Sequence, residues 1–205
     1  VHPVVIPNGV DTTYFDATAV HAMQFAQPTI VFSGTLDYRP NVDAVRWFVT
    51  DVLPLIRARI ADVALVVVGR RPTAALHAMH DAGVITLTGE VADTRPYLCG
   101  GHVYVVPMRI GGGVRLKVLE ALALDLPIVS TTMGMEGIED LPDDVYVRAD
   151  TPSAMTDAIC ALVQAPRQRG HGRTFVETQY DWRVIVPRLL TVLDGVVSQT
   201  PHAGV

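Results

Sequence analysis

Two kinds of apolar pattern alternate along this chain. Short, mostly apolar runs rich in Val and Ile occupy 29–33, 64–68, 84–88, 102–106, 127–130 and 145–147. A strand that is apolar throughout is covered on both faces, which is the pattern of a parallel sheet. Between these runs lie stretches whose apolar residues recur three and four apart, the period of a helix with one buried face. The clearest is 41–60, where Val42, Val45, Trp47, Phe48, Val52, Leu55 and Ile56 make a wide apolar stripe. Further helices are predicted over 73–81, 92–98, 113–124, 152–164, 167–179 and 182–197. Strands and helices in strict alternation predict an α/β domain with a doubly wound, mostly parallel sheet of about six strands and additional C-terminal helices.

In that architecture ligands bind beyond the carboxyl ends of the strands. Three of the predicted strands run into glycine, at Gly34, Gly69 and Gly89. All three fall at the same edge of the expected sheet, where a missing side chain lets a ligand approach the backbone. Residues 1–28 read as a linker followed by a short helix, 29–197 as the domain, and 198–205 as a tail.

Composition narrows the function. Hydrophobic residues make up 49% and charged residues 18% of 205 residues, a globular balance large enough for one sizeable core. A net charge of −5 argues against a general nucleic-acid binder, which needs a basic surface. It leaves room for a small anion held by a local cluster of cations. Cys99 and Cys160 have no metal-ligand spacing and read as two buried thiols. His77 and His80 lie three apart on a predicted helix but lack a third ligand, so no metal is expected. No stretch reaches the ~18 to 20 apolar residues of a membrane span. The chain opens Val1-His2-Pro3, with no initiator methionine and no basic leader, and is read as an excised domain or fragment without a signal peptide.

The chemistry is concentrated in 107–123, P-M-R-I-G-G-G-V-R-L-K-V-L-E-A-L-A. Gly111, Gly112 and Gly113 stand between a predicted strand and a predicted helix. The first turn of a helix leaves N–H groups unpaired and carries the positive end of the helix dipole. Glycines clear the way for an anion to reach them. Arg115 and Lys117 add two positive charges, which makes this a site for a diphosphate-sized anion. Glu120 follows on the same helix and is suited to accept hydrogen bonds from ribose hydroxyls. The spacing is too short for a dinucleotide fingerprint, and no Walker lysine motif is present.

These segments resemble, in order, the C-terminal domain of a GT-B retaining glycosyltransferase of family four, the "group 1" class. The matching stretches are I-P-N-G-V-D-T-T-Y-F at 6–15, V-F-S-G-T-L at 31–36, V-V-V-G at 66–69, V-I-T-L-T-G-E-V at 84–91, V-Y-V-V-P at 103–107 and K-V-L-E-A-L-A-L-D-L-P-I-V-S-T at 117–131. The resemblance implies a Rossmann-like domain, one half of a GT-B fold, that holds a nucleoside-diphosphate sugar. It implies that Glu120 binds the ribose and that amides from Gly113 through Val114 to Leu119 hold the diphosphate. It also places the backbone of Gly89, Glu90 and Val91 at the base, with Gly34 and Thr35 beside the donor. Residues 6–15 resemble the interdomain linker. The acceptor-binding N-terminal domain lies outside the chain.

Two departures from the family's pattern concern charge. The family's first glutamate, eight positions before Glu120, is Gly112 here. In the loop after the first strand, Thr35 and Pro40 replace an arginine and a lysine. Arg115 and Lys117 stand at positions usually uncharged, so the positive charge is expected to have moved across the cleft, with help from Arg39. The expected activity is transfer of a sugar to an acceptor with retention of configuration, without a metal, by stabilising the departing diphosphate. A non-catalytic nucleotide-sugar-binding module and an epimerase-like GT-B domain are the alternatives. The expected setting is cytoplasmic, with membrane association only through the acceptor or the missing half.

Overall fold

The computed structural model describes residues 3–165 and 171–198. Within them the chain alternates strand and helix as its pattern predicts. The strands are β1 (Thr29–Ser33), β2 (Ala64–Val68), β3 (Thr86–Leu87), β4 (Val103–Val106), β5 (Ile128–Ser130) and β6 (Val147–Arg148). They form one six-stranded sheet in the order β3-β2-β1-β4-β5-β6, parallel at every pairing. Every residue of β1, β4 and β5 is buried, because helices cover both faces. The chain winds outward from β1 in one direction and from β4 in the other. The two strands where the order reverses are therefore neighbours.

The edge strands are shorter than predicted. β3 keeps two residues of the expected five, and β6 shifts to Val147–Arg148, both of which are exposed. An edge strand pairs on one side and is covered less, so an apolar run there need not all become strand. The helices are α1 (Arg39–Trp47), α2 (Leu53–Arg57), α3 (Ala74–Asp81), α4 (Arg95–Gly100), α5 (Leu116–Ala123), α6 (Pro152–Gln164), α7 (Gly172–Gln179) and α8 (Trp182–Ser198). The helix expected over 41–60 is split by a π turn at Phe48–Val52. Pro54 is the cause: it lacks the N–H that would bond to Thr50, and its ring crowds that carbonyl. Most of the predicted stripe is still buried, with Val45, Trp47, Phe48, Val52 and Ile56 in the core, but Leu55 is exposed and Leu53 takes the buried position instead.

α6 has the predicted bounds because Thr151 caps it, its hydroxyl accepting from Ala154 N at 3.2 Å. α7 begins after residues 166–170, so the expected helix start at 167 lies outside the described residues. So do 199–205, all of the expected tail except Ser198, which ends α8.

The segment before β1 is fastened to the far end of the chain. Val10 N donates to Tyr180 O at 2.8 Å and Trp182 N donates to Val10 O at 3.2 Å, a parallel bridge. Thr12 is fully buried against Asp181. The short helix expected in this segment is a single 3-10 turn at Ala17–Ala19.

Candidate functional site

The loops after β1 and β4 leave the sheet toward opposite faces and part at their carboxyl ends. A crevice results, and side chains from α1 and α5 floor it. Gly34 opens the loop after β1 at φ 154. A Cβ there would lie 2.7 Å from Asn41 Nδ2 and 3.0 Å from Lys117 Nζ. Without it, those two side chains meet: Lys117 Nζ donates to Asn41 Oδ1 at 2.6 Å, and Asn41 Nδ2 donates to Thr35 O at 2.9 Å. The ammonium also sits 4.2 Å above the Phe32 ring.

The loop after β4 turns through Gly111 and Gly113 at positive φ, 120 and 76. Such angles cannot continue a right-handed helix, so α5 starts at Leu116, three residues later than predicted. Arg115 is its N-cap residue and folds back against the loop, its Nη2 3.1 Å from where a Gly111 Cβ would be. Pro40 closes on the same point at 3.6 Å. The two cations of the α5 start therefore reach the wall formed by the β1 loop, next to Gly34 and Pro40.

Lys117 divides the crevice into two chambers of about 340 Å³ each. The inner one takes Gly34, Thr35, Glu90, Val91, Lys117 and Glu120, with Ser33, Arg70 and Thr94. The outer one takes Gly34, Thr35, Gly111, Gly112, Val114, Arg115 and Lys117, with Asn8, Tyr38 and Asn41. Most of the residues singled out in the sequence thus converge. Leu119 does not: it is fully buried behind α5, in the core. Gly89 and Gly113 shape turns at φ 70 and 76 without lining either chamber. Arg39 lies in a neighbouring groove with Asp43, Trp47 and Arg109. Arg71, which follows Arg70, turns to Asp37 at 3.1 Å.

Burial governs the charges. It pulls the Lys117 ammonium down to about 7, assisted by Arg115 and opposed by Glu120. It pushes the Glu120 carboxyl up, with Lys117 opposing. It also lowers Arg115, against the pull of Glu136 and Tyr38. The Arg115 Nη1 and Nη2 atoms are buried and have no hydrogen-bond partner. Buried guanidinium nitrogens are normally paired, so two without protein partners at a cleft suit an anionic ligand.

By residue type alone Asn41, at the start of the predicted helix 41–60, is expected to cap it. The N-cap of α1 is Tyr38, without a capping bond, and Asn41 is a buried bridge between Thr35 and Lys117. No local signal could have found this, because its partner is 76 residues away. Asn8 and Tyr38 were likewise not singled out for the cleft. Among the described residues, no group of three or more His, Cys, Asp or Glu is placed to hold a metal. Cys99 and Cys160 are buried and form no disulfide.

Comparison with known proteins agrees with this architecture. The sequence profile of the family Glycosyl transferases group 1 matches residues 27–165. The chain is 27% identical, over 93% of its length, to the GDP-mannose-dependent alpha-(1-6)-phosphatidylinositol monomannoside mannosyltransferase of Mycobacterium tuberculosis, and covers 55% of that protein. It thus spans about half the length of the curated relatives it matches. Its fold is similar to that of sucrose-phosphate synthase from Thermosynechococcus elongatus, with TM-score 0.70 and 19% identity over 95% of this chain and 53% of that one. Anabaena HepE, solved in complex with UDP, gives TM-score 0.65 and 10% identity over 94% of this chain and 57% of its own. The chain belongs to the group 1 glycosyl transferases and carries a Rossmann-like domain of the GT-B fold.

Proposed function

We propose that this group 1 glycosyltransferase domain is the donor-binding half of its enzyme and holds a nucleoside-diphosphate sugar. The nucleoside occupies the inner chamber, with its base beside Glu90 and Val91 and its ribose hydroxyls on Glu120. The diphosphate lies at the junction, where Lys117, Arg115 and the amino-terminal end of α5 converge. The sugar extends into the outer chamber. An acceptor half closes over it, and the sugar is transferred with retention of configuration.

One observation carries this reading: Arg115 Nη1 and Nη2 are buried without partners beside a second, partly buried cation, Lys117. Cleaving the glycosyl–phosphate bond puts negative charge on the departing diphosphate, and preorganised cations and amides stabilise that charge. A relative named for GDP-mannose and a structural neighbour solved with UDP support a nucleotide-sugar ligand without fixing its base. No helix among the described residues is long and apolar enough to cross a membrane.

A thermal-shift screen against UDP, GDP, ADP and their sugars tests the reading. A ligand at a hundred times its dissociation constant stabilises the chain by ~2.7 kcal/mol. The chain alone should bind at least one nucleotide and transfer little sugar. No shift with any of them sinks the proposal.

A further inference from the structure

Beyond the nucleotide and diphosphate contacts, the outer chamber contains a side chain from a distant part of the sequence, Asn8. Its place there follows from how the N-terminal segment is held. Gly9 is buried beneath the Trp182 indole, and a Cβ at Gly9 would lie 2.7 Å from Trp182 Cδ2 and 2.8 Å from Cε3. Val10 is paired on both sides of its peptide with Tyr180 and Trp182. Thr12 N and Oγ1 both donate to Asp181, and Arg183 Nη2 donates to Thr12 Oγ1 at 2.9 Å. Arg173 donates to Thr12 O at 3.0 Å and to Ala123 O at 2.8 Å. Ala123 is the last residue of α5, whose first turn carries Lys117. One guanidinium therefore ties the N-terminal segment to the helix that presents the cations. Asn8 stands immediately before this fastened stretch, and its position relative to Arg115 and Lys117 is fixed through it.

The chemistry of the outer chamber says what Asn8 meets. Its charged groups, Arg115 and Lys117, are both cations; Gly111 and Gly112 offer no side chain, and Pro40, Met108, Val114 and Leu116 are apolar. Asn41 already spends its carboxamide on Lys117 and Thr35. Asn8 is exposed to the chamber and makes no hydrogen bond to any described residue. A carboxamide both donates and accepts, which is what sugar hydroxyls require and what two cations do not provide. We infer that Asn8 is a donor-sugar contact: its carboxamide hydrogen-bonds hydroxyls of the transferred sugar, and the clamp of Trp182 on Gly9 holds it in reach. The inference rests on the donor-site reading above.

The test compares each nucleotide with its own sugar by calorimetry: UDP with UDP-glucose, GDP with GDP-mannose, ADP with ADP-glucose. Asn8→Ala should weaken the bound nucleotide sugar roughly tenfold, the worth of one or two hydrogen bonds, and the free nucleotide less than twofold. Trp182→Ala frees Gly9, so it should lower sugar affinity in the same selective way and leave little further effect for Asn8→Ala in the double variant. Equal weakening of nucleotide and nucleotide sugar would mean a structural role and overturn the inference. So would unchanged affinity for both. Failure of the unsubstituted chain to bind any of the six overturns the donor-site reading itself, whereas binding that is indifferent to Asn8 overturns the sugar contact alone.

Discussion

Asp181 and Arg115 are both withdrawn from solvent at places where distant parts of the chain meet, yet their surroundings are opposite. Asp181 accepts from Arg183 N at 2.7 Å, Arg183 Nε at 2.8 Å, Arg183 Nη2 at 2.9 Å and both polar groups of Thr12. Those bonds, led by the one from the Arg183 side chain, hold its carboxyl well below the usual carboxylate range. Arg115 has nothing of the kind: burial lowers its pKa, and two of its nitrogens find no partner. A charge whose bonds are complete is there for the fold. A charge desolvated without partners costs stability, and a protein keeps it where a ligand completes the set. The comparison can be broken, since the two sites should respond to substitution in opposite currencies of stability and affinity.

The largest effect is expected at Asp181. Asp181→Ala leaves the buried Thr12 hydroxyl and amide without an acceptor and should cost about 3 kcal/mol, or roughly 6–12 °C in Tm. Nucleotide affinity of the molecules still folded should change little. A depressed folded pKa means that the Asp181 contribution is present above the ordinary carboxylate pKa and is lost as pH falls below it. The gap between the two proteins in denaturant melts should therefore narrow on acidification below pH ~4. A gap that stays constant into acid would show that Asp181 does not carry it.

Arg115→Met reverses the pattern. Charge-assisted bonds from two nitrogens are lost, so affinity for the nucleotide that the screen identifies should fall about a hundredfold. The unliganded Tm should stay level or rise, because an unpaired buried charge has been replaced by an apolar chain of similar length. A drop in Tm with unchanged affinity would make Arg115 a structural residue and erase the contrast with Asp181.

How legible each region was in the sequence follows the same division. β1, β2, β4 and β5 were readable because strands covered on both faces are dominated by apolar residues, with polar ones such as Thr29, Ser33 and Ser130 only at their ends. α6 was readable because Thr151 and Pro152 mark a helix start by local chemistry alone. The glycine segment drew attention to Arg115, Lys117 and Glu120, and the fold places all three at the crevice. The failures are long-range or conformational. Asn41 bonds to a residue 76 positions on, and Thr12 to one 169 positions on. Neither distance leaves a periodicity. Arg39 was expected at the donor from its loop position, but it is the first residue of α1 and lies in the neighbouring groove.

The smallest expected effect separates Lys117 from both. Burial brings its ammonium down to about 7, so near neutral pH the empty site holds a mixture of charged and neutral amine. The unfolded lysine keeps the ordinary value of 10.5, so the unfolded chain binds more protons between those values. Stability of the empty domain should accordingly gain from this group as pH rises from about 7 toward 10. Binding has the opposite sign. A diphosphate against Lys117 favours the charged form and raises its pKa, so the complex takes up a proton. Affinity should fall above pH ~7 by up to tenfold per unit, or ~1.4 kcal/mol. A nucleotide sugar is the ligand to use, because its diphosphate is esterified at both ends and does not titrate there. Calorimetry in buffers of different ionisation enthalpy reads the proton uptake directly. Lys117→Met should flatten the profile and abolish the uptake. A flat profile in the unsubstituted protein between pH 6.5 and 9 would mean that the ammonium stays charged in the empty cleft, with Asn41 Oδ1 at 2.6 Å as sufficient compensation. Lys117 would then belong with Asp181 among the completed charges, and Arg115 alone would mark the site.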